Sequence, residues 1–484
     1  MGREEAIGIQ DDVDIETEKA IGIIYAYNDR PPLAQSIVAA VQHFLAIFVG
    51  IITPPIIVSR ALKLPMGMSA YLISMALFIS GVATFIQARR IGPIGSGLLS
   101  IQGTSFAFLS TIMAIGLAVT GAGGTPQEAI ATICGVCLCG CFIEMVLSRF
   151  LPQMKRVFPP LVSGIVVTLI GLSLIRVGIT DFGGGFAAMH NHTFGSFQNL
   201  ALASLVMVII IAFNASKKPI IRMSSVAAGI VVGYIVAFFM GRVDFGKLGE
   251  IGVFSVPVPL KYGFRFSLSG FLSVALLYVI TTIESIGDLT ATALLSGHPI
   301  RGKRYMRALQ GGIMGDGFNS GLAALFNTFP NTTFSQNNGI IQLTGIGSRY
   351  VGYYIAGMLA LVGLFPLVGG VFSLTPPPVI GGATVILFGT VAAAGVKIIA
   401  SEAINKRSML IMAVSFGTGL GVSFVPGILN AMPALIKSIL SSGITTGGLT
   451  AIILNLLIPY QEGVPEEMQE LPTEPIEVEA KPSA

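Results

Sequence analysis

The chain has 484 residues, of which 53% are hydrophobic and only 11% are charged, and its formal net charge is +4. Soluble proteins carry about 25% charged residues, so this composition excludes a water-exposed globular surface and favours a membrane protein. The basic residues are scattered and form no stripe, which argues against a nucleic-acid-binding protein.

Both ends of the chain are polar. Residues 1–33 are polar and acidic and lack the pattern of a signal peptide, while residues 461–484 are rich in Glu and Pro. Segments of the second kind do not form a packed core. We therefore predict a cytoplasmic N-terminal tail at 1–33, a transmembrane body at 34–460 and a disordered C-terminal tail at 461–484.

About fourteen apolar segments follow one another through the body. A spanning helix needs roughly 20 apolar residues, and several of these segments are too short or too interrupted to cross alone. The segments are 34–58, 65–86, 94–115, 129–146, 162–175, 200–213, 226–240, 271–294, 309–326, 334–346, 351–368, 379–400, 409–422 and 446–457.

Basic residues alternate between the loops that join these segments. They occur after the second, fourth, sixth, eighth and twelfth segments, whereas the loop after the third segment contains none and the loop after the fifth contains only Arg176, at its first position. The longer loop after the seventh segment is an exception. Because Lys and Arg favour cytoplasmic loops, we predict that both termini are cytoplasmic.

All four cysteines lie in the fourth segment, at Cys134, Cys137, Cys139 and Cys141. A metal cluster is one reading, but four thiols on one continuous helix do not converge tetrahedrally. We interpret them as small packing side chains at a helix interface. We do not expect a disulfide framework.

An internal repeat links the fifth and twelfth segments. A Pro followed by Gly after four residues and by Gly after seven more occurs at Pro160 and again at Pro378. The repeat is therefore seven segments long, and an odd number of segments inverts the second copy in the membrane. Inverted repeats are typical of secondary transporters, although a small-residue packing motif could also recur by chance.

Two apolar segments are interrupted by polar runs at similar places in the two halves, at 100–106 and 329–339. Non-helical backbone at membrane depth is tolerated only where it is enclosed by protein or lines a cavity. Paired interruptions of this kind indicate the binding site of a transporter. The alternative is a loop between helices, and for 329–338 that loop could lie outside the membrane.

Acidic residues inside apolar segments are costly, at about 2.5–3.5 kcal/mol each by insertion scales. Glu284 and Asp288 are four residues apart and share one helical face. Two neighbouring carboxylates in a low dielectric do not both ionise easily, so such a pair can hold a proton. Asp316 lies in a glycine-rich stretch and has either a structural or a proton-transfer role. Glu144 lies near the basic end of its segment, and we expect it to reach the interface.

Four further residues have useful chemistry. His43 lies inside the first segment and is either a proton carrier or a structural donor. The amides of Gln336 and Asn337 can make paired contacts to a planar lactam edge. The ring of Phe106 can stack on a planar ligand. Together these residues fit a purine-like heterocycle.

Residues 336–345, Gln-Asn-Asn-Gly-Ile-Ile-Gln-Leu-Thr-Gly, resemble the signature of the nucleobase–ascorbate transporter family, also called nucleobase:cation symporter-2. Within that family the chain most resembles bacterial xanthine permeases, whose signature begins with Gln where uracil permeases have Glu. The resemblance implies an all-α integral membrane protein. It implies fourteen segments in two inverted seven-span repeats, at about 34–242 and 267–458, a core and a gate domain, and short strands in the broken third and tenth segments.

The resemblance also implies roles for individual residues. Glu284 and Gln336 would hydrogen-bond the purine, Phe106 and the Ser105 backbone would line the pocket, and Asn337 would support affinity and selectivity. By the same resemblance three positions couple protons or support the site, and these are Asp288, Asp316 and His43. Asp288 replaces a His of uracil relatives, and Ser105 replaces an Asn of some xanthine permeases.

The sequence therefore predicts a proton-coupled symporter that imports a purine, with xanthine preferred, across the inner membrane. Uric acid or a broader set of purines is the alternative substrate, and an anion exchanger of the same architecture is a second class. A membrane-embedded enzyme has no supporting motif. We expect no cofactor beyond the coupling proton, and the resemblance implies a homodimer.

Overall fold

A computed structural model of the chain describes residues 23–458, apart from 152–158, 219–220, 223, 251, 301, 401–403, 434–435, 438–439 and 441. The predicted C-terminal tail at 461–484 and most of the predicted N-terminal tail at 1–33 lie outside the described residues.

The first half of the described chain is built from helices and one short strand. In chain order these are α1 (Leu33–Ala61), α2 (Met66–Arg89), β1 (Gln102–Thr104), α3 (Leu109–Gly121), α4 (Pro126–Leu147), α5 (Pro160–Phe182), α6 (Gly185–His190), α7 (Phe197–Asn214) and α8 (Ser225–Phe239).

The second half has a similar composition. Its elements are α9 (Leu268–Leu295), α10 (Gly302–Leu325), β2 (Asn331–Thr333), α11 (Gln336–Thr344), α12 (Arg349–Gly363), α13 (Pro366–Ser373), α14 (Pro377–Ile399), α15 (Lys406–Phe424) and α16 (Gly443–Leu457). Two short 3₁₀ turns, Phe245–Glu250 and Pro426–Leu429, lie in connecting segments.

Among the described residues, eight helices are long and apolar enough to cross a membrane, and α12 with α13 makes a ninth if the pair counts as one span. Helices α3, α8 and α16 are shorter apolar helices. In an apolar stretch of 18 residues in each helix, 83% of the residues are buried in α2 but only 22% in α15. Helix α15 therefore turns most of its apolar side chains outward. The chain is thus a multi-pass membrane protein.

The segment predicted at 351–368 is not one straight helix. The chain bends by 75° between α12 and α13. Pro366 begins α13, and proline has no N–H to extend a preceding helix but is well suited to a first helical position. The apolar composition of the segment hides this break.

The helices pack in two groups. In the first group, α2 packs on α12 and α13, and α4 packs on α9 and α10. In the second group, α14 packs on α5 and α7, and α15 packs on α16. We refer to α1–α4 with α9–α13 as the first group, and to α5, α7, α8 and α14–α16 as the second group. Contacts between the groups are fewer, mainly between α1 and α8 and between α5 and α9.

Helices α5 and α14 run antiparallel and approach closely at glycines. A Cβ atom added at Gly171 would overlap the backbone of Ala392, and one added at Gly381 would overlap the backbone of Phe182. Gly389 occupies the position of the repeat that matches Gly171, but a Cβ there would meet no described residue within 4 Å. The recurring glycine pattern therefore does not reflect equal packing in the two copies.

The two polar runs meet in the interior as an antiparallel pair of strands. Ser105 N–H donates to Pro330 O at 2.8 Å and Phe334 N–H donates to Ile101 O at 3.0 Å, which extends the pairing. The register is Gln102 opposite Thr333, Gly103 opposite Thr332 and Thr104 opposite Asn331. Residues 329–334 are all buried, which favours a break enclosed by protein over a loop at the surface.

Basic residues of the long loop before α9 have local partners. Arg265 forms an ion pair of 2.6 Å with Glu128, and the Lys261 ammonium lies 3.8 Å from the centroid of the Tyr71 ring. These contacts give the basic residues a structural role, which explains why this loop departs from the alternation of charge along the chain.

The cysteines of α4 are free thiols, and Cys134, Cys137 and Cys141 are buried. A Cβ atom added at Gly321 of α10 would lie 2.9 Å from the Cys141 sulfur. The interpretation as packing residues is confirmed for Cys134, Cys137 and Cys141, whereas Cys139 is half-buried and lies outside the core cluster.

Candidate functional site

A cavity of about 660 Å³ lies between the two helix groups. The first group contributes β1, β2, α9 and the start of α11, and the second group contributes apolar residues of α5 and α14 such as Val167, Ile170 and Val391. The cavity extends to Leu294 of α9 and Lys397 of α14, near the C-terminal ends of those helices.

Three of the five predicted substrate-binding residues line this cavity: Glu284, Gln336 and Phe106. Glu284 projects from α9, and its Oε2 has no hydrogen-bond partner among the described residues. Gln336 is the first residue of α11, directly after the strand pair. A carboxylate acceptor and an amide that both donates and accepts therefore share one cavity.

The aromatic side of the cavity is formed by Phe106 and its neighbours. Phe106 makes edge contacts with Phe334 at 6.5 Å and with Phe388 at 5.3 Å between ring centroids. Phe334 packs against Gly103, where an added Cβ would overlap its ring. Phe388 belongs to α14, so the aromatic cluster joins the two helix groups.

The other two predicted binding residues lie behind the cavity wall. Ser105 is 1% exposed, and its N–H is already bonded to the Pro330 carbonyl, so that donor is engaged. Asn337 is buried; its Oδ1 accepts a hydrogen bond from Nδ1 of His43 at 2.9 Å, and its Nδ2 donates to the Phe334 carbonyl at 3.1 Å. His43 and Asn337 thus support the wall of the cavity.

Asp316 is fully buried on α10 and joins four elements. Its Oδ1 accepts from Nε2 of Gln87 at 2.6 Å and from Nε2 of Gln102 at 2.7 Å, and its Oδ2 accepts from the Ser285 hydroxyl. Gln87 also receives the Ser96 N–H at 2.9 Å. These bonds hold α2, β1, α9 and α10 together behind the cavity.

Asp288 lines the cavity beside β2. Its Oδ2 accepts from the Thr333 hydroxyl at 3.2 Å. One turn later Thr292 donates to Oδ1 of Asn338 at 2.7 Å, and Asn338 also lines the cavity. Gln87 and Thr292 could not be singled out from the sequence, because an uncharged polar residue in an apolar segment gives no signal without its partner; Thr333 lies in the predicted polar run, but its bond to Asp288 could not be predicted.

The expectation that Glu144 reaches the interface is wrong. Its residue exposure is 1%, and its Oε1 has no hydrogen-bond partner within the described part of the chain. The short distance along the chain to Arg149 suggested snorkelling, but α4 is enclosed by α9 and α10 at this level.

A second cavity of about 490 Å³ lies at the opposite end of α14, near Pro377. Arg60, near the end of α1, lines this cavity and donates from Nη2 to the Thr375 carbonyl. The Asp181 carboxylate of α5 lies within electrostatic range of the same guanidinium. Arg60 therefore contacts the segment that joins α13 to α14 at this end.

Comparison with known proteins gives consistent matches over most of the chain. The model of the Permease family, Xan_ur_permease, matches residues 34–428. Xanthine permease XanP of Escherichia coli (strain K12) is 48% identical over 441 residues, which is 91% of this chain and 95% of the relative.

Two further relatives cover a similar range. Xanthine permease XanQ of Escherichia coli (strain K12) is 45% identical over 437 residues, or 90% of this chain and 94% of the relative. Uric acid permease PucJ of Bacillus subtilis (strain 168) is 35% identical over 427 residues, which is 87% of this chain and 92% of the relative.

Among solved structures, SLC26A9 matches with a TM-score of 0.55 at 12% identity, covering 88% of this chain and 66% of that chain. Murine Slc26a9 in the inward-facing state matches with a TM-score of 0.55 at 13% identity, covering 89% of this chain and 69% of that chain. At such identity the likeness concerns the fold alone.

Proposed function

The chain belongs to the nucleobase:cation symporter-2 permease family, and we propose that it imports a purine base, xanthine above all, together with a proton. It is a transporter and not an enzyme. The observation that carries the proposal is the cavity lined by Glu284, Gln336 and Phe106, in a chain 48% identical to a xanthine permease.

The chemistry of the lining supports a purine. The Glu284 carboxylate accepts hydrogen bonds from ring N–H groups, and the Gln336 amide pairs with a neighbouring N–H and carbonyl of a lactam. The Phe106 ring offers an apolar face for a planar ligand. Ser105 and Asn337 shape this site from behind, with Asn337 held by His43.

The proposed architecture is fourteen spans in two inverted seven-span repeats, about 34–242 and 267–458. The antiparallel packing of α5 on α14, and of β1 on β2, supports this arrangement, because inverted repeats bring equivalent elements together in opposite directions. The first helix group is the core domain that carries the site, and the second helix group is the gate domain.

The proposed orientation puts both termini in the cytoplasm of the inner membrane. The cavity then faces the cytoplasmic side through the ends of α9 and α14, while Arg60 and Thr375 close the external side. The conformation is thus inward-facing, the state from which substrate leaves. In the outward-facing state the contact of Arg60 with Thr375 is broken.

The acidic residues of the site support proton coupling. Glu284 and Asp288 both line the cavity, and Asp316 lies within electrostatic range of both. No Lys or Arg of the described chain forms an ion pair with any of the three, so a bound proton relieves their mutual repulsion. The membrane potential contributes about 2.3 kcal/mol per charge per 100 mV, which drives accumulation.

Uric acid is the second candidate substrate, because the uric acid permease PucJ is 35% identical to this chain. An anion exchanger is disfavoured, since carboxylates and amides form the polar lining near the strands. The homodimer implied by the family remains a proposal.

The test is uptake of labelled xanthine by cells that express the chain, with unlabelled xanthine, urate, guanine and uracil as competitors and with or without a proton uncoupler. We expect unlabelled xanthine to compete best and the uncoupler to abolish accumulation. Stronger competition by urate would show that uric acid is the preferred substrate. Accumulation that survives the uncoupler would show that transport is not coupled to protons.

A further inference from the structure

Glu144 lies behind the substrate cavity, on a helix that does not line it. It belongs to α4, and its residue exposure is 1%. At this level α4 and α10 are in close contact, since a Cβ added at Gly317 would lie 3.0 Å from the Met145 nitrogen and 3.0 Å from the Cys141 carbonyl oxygen. Glu144 therefore lies beside the turn of α10 that carries Asp316.

Helix α9 covers the other side of Glu144. The Tyr278 hydroxyl donates to the Cys137 carbonyl at 3.1 Å, and a Cβ at Gly140 would lie 2.7 Å from the Tyr278 ring. The two helices run parallel here, so one turn beyond Gly140 the side chain of Glu144 comes level with the part of α9 that leads to Glu284.

Titratable groups of α4, α9 and α10 surround Glu144. Cys141 precedes it on α4, Tyr278 and Glu284 face it from α9, and Asp316 faces it from α10. Every one of these groups is neutral or acidic. Within the described residues no Lys, Arg or His pairs with Glu144.

The partners of Asp316 and of Glu144 differ sharply. Asp316 receives hydrogen bonds from Gln87, Gln102 and Ser285, which stabilise an ionised carboxylate. Oε1 of Glu144 has no partner in the described part of the chain. An unpaired buried carboxylate is costly, whereas the protonated acid is neutral, so a proton that enters this cluster is held more favourably on Glu144 than on Asp316.

We propose that Glu144 is a proton-holding residue of the transport cycle, which exchanges a proton with Asp316 and Glu284. The proton passes from the Glu284 carboxyl group to the carboxylate of Glu144, directly or through Asp316, and one negative charge moves in the opposite direction. Glu144, Glu284 and Asp316 all belong to the first helix group, so the proton travels with the core as it moves.

This inference rests on the proposed proton-coupled uptake and adds a storage site behind the cavity. Its consequence is that Glu144 affects the coupling of transport to protons without touching the purine. A glutamate that only fills space between helices would affect the amount of folded protein and not the pH profile of transport.

The test compares Glu144→Gln with wild type and with Glu128→Gln, a control at the exposed start of the same helix. Two quantities are measured in proteoliposomes, the accumulation of labelled xanthine at several pH values and the exchange of labelled for unlabelled xanthine without a gradient. For Glu144→Gln we expect accumulation to fall on the order of tenfold with a flattened pH profile, while exchange stays within about twofold of wild type. Glu128→Gln should match wild type in both assays.

Unchanged accumulation and an unchanged pH profile in Glu144→Gln would overturn the inference. If that variant does not reach the membrane, Glu144→Asp keeps the acid but withdraws it by one methylene, and a displaced pH profile is expected; a wild-type profile would again overturn the inference. If wild type itself ignores an uncoupler, the proposed function fails instead, so the two failures are distinct.

Discussion

Glu284, Asp288 and Asp316 are three acidic residues in one helix group. They differ in their hydrogen bonds and therefore in the roles that we infer for them. Glu284 lines the cavity with an oxygen that has no partner among the described residues, Asp288 lines it with one bond from Thr333, and Asp316 is enclosed by three donors. Glu284 is thus the residue most available to a ligand. Asp316 is the residue most committed to the structure.

Glu284→Gln should abolish xanthine uptake. The amide removes the charge that accepts ring N–H groups, and a hydrogen bond to a charged group contributes about 1.5–3 kcal/mol, so uptake should fall at least tenfold. The measurement is the initial rate of labelled xanthine uptake, normalised to the amount of protein in the membrane. A rate within about twofold of wild type would contradict this role.

Asp288→Asn should change the pH dependence of uptake and not only its rate. Transport that needs a protonated Asp288 loses activity as the pH rises and the proton leaves. Asparagine cannot lose a proton there, so the decline on the alkaline side should disappear. Rates measured across pH test this, and an alkaline decline identical to that of wild type would exclude Asp288 as the coupling group.

Gln87→Leu should destabilise the protein through Asp316. The change leaves Asp316 without one donor and the Ser96 N–H without its acceptor, at a cost of about 1–3 kcal/mol for each buried group left unpaired. The midpoint of thermal unfolding in detergent should fall. Gln342→Leu is the control, because Gln342 is exposed at the side of the cavity; an equal fall in both variants would contradict the account.

The sequence indicated these acidic residues because a carboxylate in an apolar segment is costly and therefore conspicuous. It did not indicate Gln87, whose polarity is ordinary until a partner is known, or the bond between Thr333 and Asp288. It was wrong for Glu144, since distance along the chain does not tell which neighbouring helix covers a side chain.

At the scale of elements, the strand pair and the α5–α14 pair are two places where matching elements of the two halves of the chain pack on each other. Both pairs are antiparallel, and both depend on glycine where a side chain would collide. The polar runs at 100–106 and 329–339 predicted the break in each segment, since non-helical backbone in a membrane must be enclosed. The bend between α12 and α13 could not be predicted from hydropathy, which is uniform across it.

Gly171 and Gly389 occupy matching positions of the repeat but should respond differently to Ala. A Cβ at Gly171 would overlap the Ala392 backbone, so Gly171→Ala should cost about 1–3 kcal/mol by forcing α5 and α14 apart. Gly389→Ala meets no described residue within 4 Å and is the matched control.

The comparison is made by thermal unfolding of the two purified variants. Gly171→Ala should unfold at a clearly lower temperature than wild type, and Gly389→Ala should unfold near the wild-type temperature. Equal behaviour of the variants would contradict the close antiparallel contact of α5 with α14.

At the scale of the whole molecule, two cavities lie at opposite ends of α14, and only the larger reaches the strand pair. In the proposed orientation, with both termini in the cytoplasm, the larger cavity opens inward. The alternation of basic loops predicted this orientation, and the exceptional loop is explained by its contacts with Glu128 and Tyr71. Which helices form the two groups could not be predicted, because grouping depends on contacts between distant segments.

Lys397→Cys and Asn191→Cys report this orientation as a pair, since each residue lines one of the two cavities. A membrane-impermeant thiol reagent should modify Lys397→Cys in inside-out vesicles and Asn191→Cys in right-side-out vesicles. The parent protein, whose cysteines are mostly buried, controls for background labelling. The reverse labelling pattern would show that the chain has the opposite orientation in the membrane.

The central claim is coupled movement of a purine and a proton through this cavity. The most direct measurement uses purified protein in liposomes with a pH-sensitive dye trapped inside and labelled xanthine added outside. We predict that xanthine entry acidifies the interior, and that neither uptake nor acidification occurs with Glu284→Gln. Xanthine entry without any change of internal pH, or the absence of xanthine transport by wild type, would contradict the account.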